Sequence, residues 1–72
     1  MDTVWIKTRM RKLKITQEDI AEAIGISASA VNHKIHNRRP TYLNEGAVIA
    51  RILRMTPSEV MKHLFTSSEA PF

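Results

Sequence analysis

The alternation of apolar and polar positions divides the chain into short helical segments, and none reads as a strand. Ile6, Met10 and Leu13 recur at i, i+4 and i+7, which predicts a first helix capped by Asp2 or Thr3 and ending near Lys14. Trp5 lies beside that stripe and is expected to pack on the core or on the C-terminal helix. From Gln17, the apolar residues Ile20, Ala21 and Ile24 share one side, while Glu18, Asp19 and Glu22 take the other. Thr16 is suited to cap this helix. Gly25 then falls where it must stop, because a residue without Cβ enters the left-handed conformation cheaply. Ile26 is apolar within the turn and so reads as a plug between helices. Ser27 is a good N-cap for a helix over about 28–35, whose inward side is Val31 and Ile35. Two short helices joined by a tight turn, with small Ala21 where they cross, have the grammar of a helix-turn-helix.

The second half continues the helical pattern. His36 to Leu43 reads as a loop, because Pro40 biases Arg39 away from helix and Asn37 tolerates turn conformations. Asn44, or Thr41, is expected to cap a fourth helix running through Arg54. Its apolar side is Val48, Ile49, Ile52 and Leu53, and Gly46 weakens its start. Thr56-Pro57-Ser58-Glu59 is a capping box with proline at the first helical position. A fifth helix follows to about Phe65, burying Val60 and Leu64 and leaving Met61 and Phe65 less covered. Thr66 to Phe72 has no periodicity and is expected to be a flexible tail after a single domain of residues 1–65. The fold class expected is all-α, a compact five-helix domain.

The residues QEDIAEAIGISASAVNHKIH resemble the helix-turn-helix of the phage repressor and Cro family. The likeness rests on Gln17, Ile20, Ala21, Ile24, Gly25, Ile26 and Val31, and Ser29 to Arg39 is most similar to Cro proteins. One position departs from the pattern. The apolar residue that many members carry three after Val31 is Lys34 here, with Ile35 beside it. The resemblance implies a lambda-repressor-like domain of the all-helical Cro type, whose second helix enters the major groove of operator DNA.

On that reading the outward residues of the second helix acquire roles. Asn32 is suited to a bidentate contact with adenine, and Ser27 and Ser29 to a base edge or a phosphate. Ala28 suits a thymine methyl, and His33 a base or the backbone, with His36 one turn further on. Gln17, at a helix N-terminus, is implied by the family to hold a phosphate. Lys34, Arg38 and Arg39 are expected at phosphates, the two arginines through the loop that follows the helix. No arginine lies on the reading face, so modest discrimination per half-site is expected to be made up by binding as a homodimer through Met61, Leu64, Phe65 and, further on, Phe72.

Charge supports this picture. The net charge of +4 lies wholly in the segment up to Arg39. There Lys7, Arg9, Arg11, Lys12, Lys14, Lys34, Arg38 and Arg39 outnumber Asp2, Glu18, Asp19 and Glu22, whereas three basic residues balance three acidic ones beyond it. Such asymmetry is the footprint of a phosphate-binding face. Hydrophobic residues at 43% and charged residues at 25% are ordinary for a globular fold. No cysteine is present, so disulfides and thiolate metal sites are excluded. His33 and His36 are spaced for a metal but lack a nearby carboxylate or thiol, and no metal or cofactor is expected. No nucleophile elbow, Gly-rich phosphate loop, signal peptide or long apolar run occurs. The chain is therefore expected to be a cytoplasmic, nucleoid-associated repressor. It is not expected to be an enzyme, to meet a membrane or to take a small-molecule ligand. The alternatives are an antitoxin-type or accessory regulator acting mainly through a protein partner, and a helical interaction module that does not bind DNA.

Overall fold

The structure is a computed structural model that describes residues 1–65. Five helical segments run in the order α1 (Thr3–Leu13), α2 (Gln17–Ile24), α3 (Ala28–Ile35), α4 (Leu43–Ile52) and α5 (Pro57–Glu59), and α5 continues directly into a π-helical turn, Val60–Leu64. No strand occurs among the described residues. The all-α, five-helix expectation is met.

Local chemistry explains the boundaries. Asp2 caps α1 by accepting from the Trp5 N–H, and Lys14 ends it in the left-handed conformation. Thr16 and Asp19 form a reciprocal capping box at the start of α2, which holds the Asp19 carboxyl below its ordinary range. Gly25 closes α2 at φ 89°, and a Cβ there would meet nothing within 4 Å. Its requirement for glycine is therefore conformational and not steric. Ser27 Oγ accepts from the Ala30 N–H and opens α3. Asn37, at φ 61°, closes that helix: its N–H donates to the Lys34 carbonyl while the Arg38 N–H donates to that of His33. This pair of bonds is a Schellman motif.

The fourth helix begins one residue after Tyr42, and neither Asn44 nor Thr41 caps it. Glu45 supplies the missing partner by reaching back to accept the Tyr42 N–H at 3.0 Å. The helix ends at Ile52 and not at Arg54, which instead turns the chain at φ 53°. The capping box at Thr56 and Glu59 starts α5 as expected.

The core collects Ile6 and Met10 of α1, Ile20 and Ala21 of α2, Val31 and Ile35 of α3, and Ile49 and Leu53 around α4. Met1 and Leu64 complete it, and Leu13, Ile24, Ile26, Ile52 and Val60 pack at its edge. Ile6, Ile20 and Leu53 are fully buried, each such side chain contributing about 1.5–3 kcal/mol. Ala21 is buried in the core, as a small residue at the close approach of two helices is expected to be.

Trp5 packs on the C-terminal helix. Its ring stacks on His63 with centroids 4.3 Å apart and planes 3° from parallel, and the Arg9 guanidinium lies 4.6 Å from the indole centroid. Arg9 also donates to the Leu53 and Arg54 carbonyls and to Glu59, at 2.9, 3.3 and 2.8 Å. This arginine thus binds α1 to the end of α4 and the start of α5, and does not lie on the open basic surface.

Candidate nucleic-acid interface

Side chains from α2, α3 and the following loop form the candidate surface. Packing fixes the rotation of α3. Val31 and Ile35 are each 1% exposed, so Ser29, Asn32 and His33 are turned to the opposite side. Ser29 is exposed, and Asn32 and His33 are half-buried. Gln17, at the first position of α2, donates its Nε2 to Asn32 Oδ1 at 3.1 Å. One lone pair of that oxygen and both protons of Asn32 Nδ2 remain for another partner. The bond orients the side chain expected to read a base and joins the two helices at their shared surface.

Other expected contacts are placed differently. Ser27 uses its oxygen as the N-cap acceptor, which leaves its hydroxyl proton free to donate. Ala28 is half-buried and packs on the edge of the core, so little of its methyl faces outward. The ring of His36 turns back to α1: Nδ1 meets the Asn32 carbonyl at 2.9 Å, and Nε2 lies 3.3 Å from the Lys7 ammonium.

Lys34 is the clearest correction. It is 7% exposed, and its ammonium donates to the Pro40 carbonyl and to Glu45, both at 2.9 Å. The aliphatic stem occupies the inward place that the helix-turn-helix pattern reserves for an apolar residue, a common use of long basic side chains. An ammonium so enclosed is not presented to a phosphate. The sequence carried the signal, since position 34 stands on the inward side with Val31. Its carboxylate partner became visible only in three dimensions. Burial pushes the Glu45 carboxyl up, but bonds from Lys34 and the Tyr42 N–H outweigh this and leave it below the ordinary range.

Arg38 and Arg39 are both exposed in the loop directly after α3. The Schellman turn at Asn37 fixes the start of this loop, and Lys34 with Glu45 fixes its end. Asn37 Nδ2 donates to the Met1 carbonyl at 2.9 Å, and Thr3 Oγ1 donates to the Ile35 carbonyl at 2.7 Å. The start of α1 therefore braces the end of α3.

Of the residues expected to join two copies, Met61 is 73% exposed and Phe65 37%. Leu64 is 2% exposed and belongs to the core, so it is withdrawn from that surface. Leu43, not anticipated, is 77% exposed on α4, one turn before Gly46, against which the Phe65 ring lies. Phe72 lies outside the described residues, as does the expected tail. Among the described residues no group of His, Asp and Glu is arranged to hold a metal, and no helix is long and apolar enough to cross a membrane.

The family model for the Cro/C1-type HTH DNA-binding domain matches residues 6–65. No curated protein and no solved structure matches the chain.

Proposed function

The chain belongs to the Cro/C1-type helix-turn-helix DNA-binding family, and from that premise we propose that it is a Cro-like repressor that binds palindromic operator DNA as a dimer. The observation that carries the reading is the outward face of α3, where Asn32 is held by Gln17 with Ser29 and His33 beside it. In this reading α3 lies in the major groove. Asn32 accepts from adenine N6 through the free lone pair of Oδ1 and donates from Nδ2 to N7. Ser29 and His33 contact neighbouring base edges. Gln17 at the α2 N-terminus, Ser27 through its free proton, and Arg38 and Arg39 bind backbone phosphates on either side.

Two copies would set their α3 helices about 34 Å apart, one turn of duplex. Exposed Met61, Phe65 and Leu43 supply apolar surface for joining them. Bound over a promoter, such a dimer represses by occlusion in the cytoplasm of the cell that carries the gene.

The test is selection of bound sequences from random duplex DNA, repeated at two salt concentrations. A single palindromic motif, with binding that weakens steeply as salt rises, is expected. Asn32→Ala should then cost about 1–3 kcal/mol at one base position, whereas Arg39→Ala should weaken all sequences alike. A lone half-site bound as tightly as the palindrome would refute the dimer. Failure of any motif to emerge would refute sequence-specific regulation and favour action through a protein partner.

A further inference from the structure

The loop from His36 to Tyr42 carries two arginines, and among the described residues neither arginine side chain has a hydrogen bond to the rest of the chain, although the Arg38 N–H donates to the His33 carbonyl. The Schellman turn holds the start of this backbone, and the side chain of Lys34 holds its far end. Its ammonium bonds the Pro40 carbonyl, immediately after Arg39, and the same ammonium bonds Glu45 Oε1. That oxygen also accepts the Tyr42 N–H, where the loop becomes α4. The Tyr42 ring covers the ammonium, with Nζ 5.3 Å from its centroid. One cation therefore joins the reading helix, the loop and the next helix. With side-chain exposures of 8% for Lys34 and 12% for Glu45, the pair is largely shielded from water and salt.

We propose that Lys34 is a positioning residue for phosphate binding: through Pro40 and Glu45 it sets the backbone of Arg38 and Arg39 relative to α3 without touching DNA. The inference rests on the DNA-binding reading above. Its logic is chemical. Pro40 has no N–H, so this residue can be tied through its backbone only at the carbonyl, and tying it there requires a donor. An apolar residue at position 34 would fill the same space but leave that carbonyl unbound. The family pattern thus acquires here a lysine that packs as an aliphatic chain and ends as a clamp.

The experiment uses Lys34→Met combined with Glu45→Gln. The pair removes both charges together, retains an acceptor for the Tyr42 N–H, and avoids stranding one buried charge. Circular dichroism should show a helical content and thermal midpoint near those of the parent. Affinity for a non-specific duplex should fall about tenfold, and the slope of log K against log salt should become shallower by about one to two. In an Arg38→Ala/Arg39→Ala background, the same two substitutions should change affinity by less than about twofold, since the groups they position are gone.

Equal losses in the two backgrounds, or no loss in the first, would overturn the proposal. A parent chain that shows no salt-dependent duplex binding would instead overturn the DNA-binding reading on which it stands. A second measurement needs no variant at all. On addition of duplex to the parent, the Arg38 and Arg39 Nε–H signals should shift in NMR spectra while the Lys34 Nζ signal stays in place. Movement of the Lys34 signal by as much as those of the arginines would show direct contact and refute a positioning role.

Discussion

Replacing Gly46 with alanine tests the packing of Phe65 against α4. In an open helix the exchange stabilises by about 0.8–1 kcal/mol, because glycine is the costlier residue. Here the added methyl would lie 2.8 Å from Cε1 and 3.1 Å from Cε2 of the Phe65 ring, with Cζ nearer still. The ring must lift. Phe65 is 37% exposed, so about two thirds of a side chain that buries about 150–250 Å² when fully covered is held against the protein. At about 25 cal/mol per Å² that contact is worth about 2–4 kcal/mol, as an upper bound. Giving up about half of it outweighs the gain in helix propensity. Gly46→Ala should therefore destabilise the chain by up to about 1 kcal/mol.

In a Phe65→Ala background the three atoms nearest the methyl are gone, and the same change should stabilise by about 0.8–1 kcal/mol. Urea denaturation of the four proteins, followed by far-UV circular dichroism at one protein concentration, measures the coupling. If Gly46→Ala stabilises both backgrounds alike, within about 0.3 kcal/mol, the ring does not rest on Gly46 and the reasoning is wrong.

Three further outcomes follow from the helix ends and the carboxylates. Arg54→Gly should raise stability by about 0.5–1 kcal/mol, since φ 53° costs an arginine more than a glycine; an unchanged thermal midpoint would contradict this. Thr56→Ala should lower stability by about 1 kcal/mol through loss of the α5 cap, with an unaltered urea midpoint as the refuting result. Asp2, Asp19, Glu45 and Glu59 all have carboxyls held below their ordinary values, Asp2 chiefly by His63 and Glu59 chiefly by the Thr56 N–H. Groups lowered on folding stabilise above their unfolded values, near 4, and lose that contribution as pH falls through the folded ones. The urea midpoint should drop steadily from about pH 4 downward; a midpoint equal at pH 5 and pH 3 would refute the assignment.

Much of this arrangement was legible in the sequence because it follows from local pattern. Gly25, Ser27 and the spacing of Val31 and Ile35 fixed the turn and the rotation of α3. That rotation is what leaves Ser29, Asn32 and His33 outward. Thr56 to Glu59 likewise announced its helix by chemistry within four residues. Features that depend on distant partners were hidden. Tyr42 offers no acceptor for capping, and Glu45 serves that helix start from the other side. Lys14 and Arg54 end helices in a conformation that residue type alone would assign to glycine or asparagine. Arg9 and Lys34 look like surface cations until Glu59 and Glu45 come within 2.8 and 2.9 Å of them. Leu64 fits either a core or an interface by composition, and only the fold commits it to the core.

The stack of Trp5 on His63 gives the protein an internal optical probe. Trp5 is the only indole in the chain, so native emission reports on one place, where His63 of the last helical turn and Arg9 meet the ring on α1. Asp2, with Oδ2 3.1 Å from His63 Nδ1, holds that imidazole face to face with the fluorophore. Detachment of that turn, whether by a partner or by heat, would expose the indole to water and red-shift its emission. The seating of the segment that closes the fold can therefore be followed by light.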